Sequence, residues 1–259
     1  MSAARRTRNV RAVVLAGGFG TRLEPYTSVL PKPLMPIGNL AILEIVVDQL
    51  ADSGVREITF CVGYLAHLIR SVFDNRVDDR TEISYVHEQK PLGTAGPLRH
   101  VEGLDSTFIV MNGDVLTTLD YRRLVRSHLA SGAALTIGTH MRAIKSDYGI
   151  LHLDGKVGAV RRVTGYEEKP EIVSAVSMGI YVFEPRALAY IPENSHFDFP
   201  DLVRALLAAG EEVGAYPHLG LWFDIGNPED HARAAALWET IPGNAGKRPS
   251  PVKKRTVRA

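Results

Sequence analysis

The chain has 259 residues, of which 45% are hydrophobic and 23% charged, and its formal net charge is +1. This composition is typical of a globular domain, and no apolar run approaches the roughly 18 residues that a membrane span requires. The single cysteine, Cys61, excludes an internal disulfide and a zinc site built from several cysteines. We therefore expect a cytoplasmic protein without a membrane partner, in which Cys61 is a buried, inert thiol.

The ends of the chain are basic and its body is acidic. Residues 1–11 contain four arginines and residues 242–259 contain six lysines and arginines, with no acidic residue in either segment. The body therefore carries 20 basic against 29 acidic residues, a net charge near −9. We expect residues 242–259 to form a disordered tail. Because no aromatic residues are interleaved with these charges, a nucleic-acid partner is disfavoured.

Strand-like and helix-like patterns alternate through the first half of the body. A short apolar strand at 11–16 is followed by glycines, and Asp120 is placed to cap the helix predicted at 120–132. The predicted segments are a helix at 41–54, a strand at 56–63, a helix at 64–75, strands at 82–88 and 107–114, a helix at 120–132 and a strand at 133–141. This alternation predicts βαβ units and a mostly parallel sheet.

The pattern changes between residues 148 and 170, where short strands and turns predict a small β-rich insertion. It then returns with a strand at 176–185, a helix at 199–211, a strand end at 221–226 and a closing helix at 227–240. Asn227 and Pro228 suit the start of that helix. We predict one α/β domain over 9–241, with a Rossmann-like, mixed but mostly parallel sheet flanked by helices.

The loop after the first strand is rich in glycine and is followed by two spaced basic residues. Gly17, Gly18 and Gly20 let backbone N–H groups approach anionic oxygens. The phosphate-binding P-loop pattern fails here, and the dinucleotide pattern lacks its third glycine. Arg22 and Lys32, the latter held between two prolines, are spaced so that one loop could fold both onto a polyphosphate.

The stretch LAGGFGTRL…LPKPLMPIGN resembles the signature of the sugar-1-phosphate nucleotidylyltransferases, which have a GT-A-like fold. The resemblance implies that Arg22 and Lys32 are catalytic, because they neutralise the triphosphate during attack on its α-phosphorus. It also implies that the loop binds the nucleotide. The loop residues concerned are Leu15, Ala16, Gly17, Gly18, Gly20 and Thr21.

Further motifs of the same family follow in order along the chain. NGD and LWFDIGNPEDH resemble its magnesium-binding motifs, which implies Asp114 and Asp224 as ligands of Mg²⁺. YEEKP resembles its sugar-phosphate motif, with Glu168 reading sugar hydroxyls and Lys169 holding the phosphate. SDYGIL supplies Gly149 beside the sugar, so the insertion is expected to bind the sugar. The implied partners are an NTP and a sugar 1-phosphate, and a homo-oligomer remains open.

The segment HEQKPLGTAGPL corresponds to the loop that reads the base in this family, which implies that Gly93 and Thr94 bind nucleotide. Glu88 stands where relatives that use uridine or thymidine nucleotides carry a glutamine. A carboxylate only accepts hydrogen bonds, and guanine offers two donors on one edge where uracil and thymine offer one. We therefore expect GTP, as in mannose-1-phosphate guanylyltransferases. A shifted alignment would make Gln89 the base reader instead.

Two departures from those enzymes bear on the sugar and on the phosphates. Ser177 and Met178 replace the asparagine and alanine of the sugar strand, so we expect Ser177 to contact the sugar and Met178 to add bulk to its pocket. Mannose 1-phosphate, a heptose with the manno configuration and another hexose all remain open. Glu24 replaces the usual arginine after TRL, and we expect it to alter the local charge without abolishing activity.

Three alternatives accompany this hypothesis. A transferase that uses CTP, UTP or dTTP would share every catalytic residue and differ in the base loop. An inactive regulatory paralogue is disfavoured because the chain keeps its basic residues and both metal aspartates. A glycosyltransferase is disfavoured because NGDVL contains one aspartate where an Asp-x-Asp pair is usual.

Overall fold

The computed structural model describes residues 10–76, 80–156, 158 and 160–241, so the predicted tail at 242–259 and residues 1–9 lie outside the described chain. The strands within it are, in chain order, β1 (Arg11–Ala16), β2 (Pro36–Ile37), β3 (Leu40–Ala41), β4 (Glu57–Val62), β5 (Glu82–His87), β6 (Phe108–Asn112), β7 (Val115–Thr117), β8 (Leu135–Lys145), β9 (Ile150–Asp154), β10 (Arg162–Glu167), β11 (Glu171–Phe183), β12 (Val213–Pro217) and β13 (Trp222–Asp224). The α-helices within it are α1 (Ile42–Asp52), α2 (Ala66–Phe73), α3 (Tyr121–Ser131), α4 (Phe199–Ala208) and α5 (Pro228–Trp238).

Seven strands form the central sheet in the order β12-β8-β11-β6-β1-β4-β5. Four of its pairings are parallel, and β11 runs antiparallel to both of its neighbours. Helices flank the sheet, and a hydrophobic cluster lies on each side of it. The predicted architecture, a mixed and mostly parallel sheet flanked by helices, is confirmed.

The apolar strands are continuous because they are buried on both faces. Val13 and Val14 in β1 are fully buried, with β4 on one side and β6 on the other. Cys61 in β4 is equally buried, and burial raises the pKa of its thiol, as expected for an inert core cysteine.

Local capping explains where two of the helices begin. Asp120 accepts a hydrogen bond from the backbone N–H of Arg123 at 3.0 Å, and Asn227 accepts one from that of Asp230 at 2.8 Å. Both caps were predicted. Within the described residues, no helix is both long and apolar enough to cross a membrane.

The predicted insertion is confirmed as an antiparallel hairpin of β9 and β10. The strands on either side of it are longer than predicted, because β8 continues to Lys145 and β11 begins at Glu171. Among the described residues, the two strands pair only with each other in this extension, and they are largely exposed, so they lack the apolar pattern of a buried strand.

Candidate active site

A cleft of about 610 Å³ opens where β1, β4, β5 and β6 end at their carboxyl termini. It extends to both sides of β1. After β1 the chain forms β4 and β5 on one side of this strand and then β6 on the other, so the strand order reverses here. Every predicted nucleotide-binding and catalytic residue lines it. These are Leu15, Ala16, Gly17, Gly18, Gly20, Thr21, Arg22, Lys32, Glu88, Gly93 and Thr94.

Two glycines of the loop after β1 have close neighbours that a side chain would disturb. At Gly17 a Cβ would lie 2.6 Å from the Oε1 of Glu88, so a larger residue here would displace this carboxylate from its position against the loop. Gly20 has a φ of 67°, and its carbonyl accepts a hydrogen bond from the Thr27 hydroxyl at 2.9 Å. The next turn buries Leu23, which anchors the far end of the loop in the core.

Lys32 is the charged residue that the fold buries beside the cleft. It begins a short helical turn after Pro31 and is 8% exposed. Its ammonium forms an ion pair with Asp114 and lies 4.0 Å from the Oδ1 of Asp224. A lysine is rarely buried unless its charge is paired, and here two carboxylates face it.

The two carboxylates come together through the short ladder between β7 and β13. Its register places Asp224 opposite Val115, and the N–H of Ile225 donates to the carbonyl of Asp114 at 3.3 Å. Asp114 lines the cleft, and its buried Oδ1 has no hydrogen-bond partner in the described chain. Burial, and then the charge of Asp114, raise the pKa of Asp224, while Lys32 and Arg22 oppose the shift.

The oxygen donors of this carboxylate pair fit a hard divalent cation. Such a cation would give the buried Oδ1 of Asp114 a partner. It would also stabilise the ionised form of Asp224, whose pKa is raised. The described residues contain no cluster of three or more histidine, cysteine and acidic side chains, so such an ion would take its remaining ligands from phosphates and water.

Arg22 lines the same cleft and adds a second cation to this charged group. A Cβ at Gly226 would lie 3.3 Å from its NH1, so the guanidinium packs against the backbone that follows β13. The same guanidinium opposes the rise in the pKa of Asp224. Two cations and two carboxylates from three distant segments therefore meet at one end of the cleft.

Glu88 provides a carboxylate elsewhere along the glycine loop. It follows β5, and its Oε2 accepts a hydrogen bond from the N–H of Leu92 at 3.2 Å. Burial raises its pKa, against the opposing effects of that N–H and of two nearby histidines. Gln89 lines the same cleft, so both candidate base readers face the space beside the loop.

Gly93 and Thr94 are fixed to the start of α4. Gly93 has a φ of 79°, and a Cβ there would lie 2.7 Å from the carbonyl oxygen of Phe197. The backbone N–H and the hydroxyl of Thr94 both donate to the Oδ1 of Asp198, at 2.8 and 3.0 Å. The Thr94 hydroxyl also accepts from the N–H of Phe199, so it holds the loop in place.

The predicted sugar-phosphate residues lie outside the residues that line the cleft, and contacts join two of them, Gly149 and Glu168, through Tyr166. Tyr166 contacts Gly149, and its hydroxyl donates to the carboxylate of Glu168. Lys169 follows in the left-handed region with a φ of 44°. Ser177 lies on β11, where its hydroxyl donates to that of Tyr181 at 3.1 Å. Glu24 is exposed and also lies outside the cleft lining.

The sequence profile of the nucleotidyl transferase family matches residues 11–240, nearly the whole described chain. The chain belongs to this family. Mannose-1-phosphate guanylyltransferase catalytic subunit beta of Drosophila pseudoobscura pseudoobscura is 33% identical over 88% of this chain and 62% of that protein. UTP–glucose-1-phosphate uridylyltransferase of Synechocystis is 32% identical over 90% of this chain. The match covers 63% of that relative, so the chain spans less than two thirds of either protein.

A solved structure of HddC from Yersinia pseudotuberculosis complexed with GMP-PN is similar to this nucleotidyl transferase, with a TM-score of 0.65 and 27% sequence identity. The match covers 88% of this chain and 99% of that chain. This solved structure therefore shares the fold of the chain.

One expectation about this nucleotidyl transferase is wrong. Met178 does not add bulk to an open sugar pocket, because it is 1% exposed and belongs to the hydrophobic core. Its sulfur lies 3.7 Å from the position of a Cβ at Gly138. Its carbonyl accepts a hydrogen bond from the indole of Trp222 at 3.1 Å. Of the two substitutions in this strand, only Ser177 is left to contact a sugar.

Sequence analysis missed several residues that line the cleft. Phe19 and Tyr64 form a tilted aromatic pair with ring centroids 5.3 Å apart. Tyr64 and Asn112 follow or end parallel strands, so the rule that ligands bind at carboxyl ends could have found them. Lys90 lies within the quoted base loop. His196 precedes α4 at a site that no sequence motif indicates.

Proposed function

We propose that the chain transfers a nucleoside monophosphate from an NTP to the phosphate of a sugar 1-phosphate. An oxygen of the sugar phosphate forms a bond to the α-phosphorus, the bond from that phosphorus to the β-phosphate bridge breaks, and pyrophosphate leaves. Membership of the nucleotidyl transferase family supports this reaction, as do the basic residues beside the glycine loop.

The proposed mechanism relies on position and charge, and no step uses a nucleophile from the chain. The loop from Leu15 to Thr21 wraps the nucleotide with backbone N–H groups. Arg22 and Lys32 neutralise the charge that develops as pyrophosphate departs. Asp114 and Asp224 would hold Mg²⁺, which when bound neutralises phosphate oxygens.

We propose GTP as the nucleotide, and the observation that carries this choice is the Glu88 carboxylate in the cleft. One of its oxygens already accepts from Leu92, and the other faces Gly17 of the nucleotide loop. An acceptor in this place suits the N1–H and amino donors of guanine. The similarity to HddC, solved with GMP-PN, supports the same base.

For the sugar we propose mannose 1-phosphate or another sugar of manno configuration. Similarity to mannose-1-phosphate guanylyltransferases supports mannose 1-phosphate. Because Ser177 replaces the asparagine of the sugar strand, the proposal also includes other sugars of manno configuration. Similarity to a UTP–glucose-1-phosphate uridylyltransferase makes uridylyl transfer to glucose 1-phosphate the second candidate.

The choice of base is tested by the ratio of kcat/KM for GTP to that for UTP. We expect Glu88→Gln to lower this ratio by about ten- to a hundredfold, because a hydrogen bond to a charged group contributes roughly 1.5–3 kcal/mol. Gln89→Ala is the matched control and should leave the ratio near that of the unmodified chain. A ratio that responds to Gln89→Ala and not to Glu88→Gln would assign base reading to Gln89.

A further inference from the structure

An aromatic side chain within the glycine loop is left largely uncovered. Phe19 lies between Gly18 and Gly20 and is 56% exposed, although burial of a phenylalanine ring is ordinarily favourable. Its ring contacts that of Tyr64, with ring centroids 5.3 Å apart and planes tilted by 41°. We call these two residues, which both line the cleft, the aromatic pair. Ligand clefts are lined mainly by apolar and aromatic side chains, so the uncovered part of Phe19 offers apolar surface to a substrate.

Tyr64 is held at both of its ends. Its backbone N–H donates to the carbonyl of Gly17 at 3.5 Å, and its hydroxyl donates to the carbonyl of Ser28 at 3.2 Å. The first contact fixes Tyr64 to the glycine loop, and the second fixes it to the segment that leads to Lys32. Tyr64 is therefore a fixed support against which the ring of Phe19 rests.

The backbone of Gly17 contacts both Tyr64 and the Glu88 carboxylate. A Cβ at Gly17 would lie 2.6 Å from the Oε1 of Glu88, and the carbonyl of Gly17 accepts the hydrogen bond from Tyr64. A Cβ at Gly63 would lie 3.0 Å from that same carbonyl, so the segments that follow β1 and β4 approach each other closely here. The aromatic pair and the proposed base reader therefore border the same stretch of the cleft.

We propose that Phe19, supported by Tyr64, stacks on the base of the bound nucleotide and favours a purine over a pyrimidine. This inference rests on the proposed function, in which Glu88 accepts hydrogen bonds from the edge of guanine. Glu88 reads the edge of the base, and Phe19 contacts its face. Because a purine has two fused rings and a pyrimidine has one, a purine covers more of the Phe19 ring.

The base is the part of the two substrates that suits an aromatic face. The face of an aromatic ring carries partial negative charge, so a phosphate gains nothing from contact with it. The residues predicted to bind the sugar lie outside the cleft lining. Every nucleobase has a flat π face, and stacking on an aromatic side chain stabilises its binding. The Phe19 ring therefore fits the base better than it fits the phosphates or the sugar.

Isothermal titration calorimetry with Mg²⁺ and without sugar 1-phosphate tests the stacking in the absence of turnover. Phe19→Leu keeps an apolar side chain and removes the flat ring. We expect it to weaken the binding of GTP by about five- to a hundredfold, the range that stacking on an aromatic side chain contributes. Binding of UTP should weaken by a smaller factor. ITP, which has the purine rings and lacks the 2-amino donor of guanine, should respond to Phe19→Leu as GTP does.

Tyr26→Leu is the matched control for this variant. Tyr26 is 57% exposed and precedes Lys32 in the same segment, but it lies outside the cleft lining. The control should bind GTP and UTP as the unmodified chain does. Phe19→Trp keeps a flat ring and should retain GTP binding, and GTP should quench the fluorescence that the new indole adds to that of Trp222 and Trp238. Thermal melts verify that each variant is folded.

Three results would overturn the proposal. Phe19→Leu could bind GTP as tightly as Tyr26→Leu, or GTP could leave the added fluorescence of Phe19→Trp unchanged. Alternatively, Phe19→Leu could weaken GTP and UTP by equal factors, which would mean that the ring supports the loop without stacking on the base. None of these results depends on pyrophosphate release. A chain that binds GTP through Phe19 and releases no pyrophosphate with any sugar 1-phosphate would contradict the transfer reaction and leave the stacking in place.

Discussion

Lys32 is held against two carboxylates at the edge of the cleft, and this arrangement has energetic consequences. Removing the lysine would leave Asp114 partly buried without its ion pair, which is costly in a poorly solvated site. A bound cation or a phosphate would redistribute the same charges. Lys32 therefore also stabilises the charges of the two aspartates proposed for the reaction, and they stabilise its charge.

The raised pKa of Glu88 predicts a pH dependence of GTP use. Because the pKa is raised, Glu88 protonates at a higher pH than an ordinary glutamate, and the protonated group presents a donor where guanine also presents donors. The KM for GTP should therefore rise as the pH falls towards the raised pKa of Glu88. In Glu88→Gln this titration is absent, and its pH profile should be flatter. Identical profiles would contradict the assignment.

The raised pKa of Asp224 predicts that this carboxylate lowers the stability of the fold although it is needed for activity. Its pKa in the folded protein is raised, so ionisation costs the folded state more than the unfolded chain. Above that pKa the ionised carboxylate lowers the free energy of unfolding. Asp224→Asn should therefore raise Tm by up to a few degrees at neutral pH and abolish magnesium-dependent pyrophosphate release.

The gain in Tm should shrink as the pH falls, because Asp224 in the unmodified protein then becomes protonated. Thermal melts of both proteins across pH test the sign. A lower Tm for Asp224→Asn at neutral pH would show that the ion pairs of this carboxylate outweigh its burial.

At the scale of elements, the start of α4 positions the base loop. The Asp198 carboxylate accepts two hydrogen bonds from Thr94, and Gly93 packs against the preceding backbone. Asp198→Ala should raise the KM for GTP several-fold, whereas Asp198→Asn keeps an acceptor oxygen and should have a smaller effect.

Asp120→Ala at the start of α3 is the matched comparison. It removes a cap and should destabilise the protein by about 1 kcal/mol without changing the KM for GTP. Steady-state kinetics and thermal melts separate the two effects. Equal KM values in Asp198→Ala and Asp120→Ala would mean that the Thr94 anchor does not position the nucleotide.

Elements with a strong local signal were predictable from the sequence, and the others were not. The helix after Asp120 and the closing helix after Asn227 have a cap and helical spacing, and both begin where predicted. The three-residue β7 carries no pattern of its own, yet its ladder with β13 brings Asp114 and Asp224 together. The outer parts of β8 and β11 were missed because an exposed ribbon has no burial pattern to detect.

At the scale of the whole molecule, the sheet brings the proposed site together from segments spread over most of the chain. The cleft residues could be predicted because the motifs follow one another along the chain in the order of a family signature. The ion pair of Lys32 with Asp114 and the burial of Met178 depend on tertiary packing, which one sequence does not encode locally. The same holds for His196, which reaches the cleft only because α4 packs beside the base loop.

The proposed magnesium site predicts a dependence of both activity and stability on the metal. Chelation with EDTA should abolish pyrophosphate release, and added Mg²⁺ should restore it. With nucleotide present, Mg²⁺ should raise Tm in the unmodified protein and not in Asp114→Asn, which removes the anionic ligand. An equal rise in both proteins would place the ion elsewhere.

The most direct test of the proposed function is pyrophosphate release measured with Mg²⁺ for each common NTP against a panel of hexose and heptose 1-phosphates. The account predicts release with GTP and a sugar 1-phosphate of manno configuration, well above every pyrimidine nucleotide. A preference for UTP and glucose 1-phosphate would contradict the role of Glu88. No release with any pair would contradict the transfer reaction itself and favour a regulatory protein that binds sugar nucleotides.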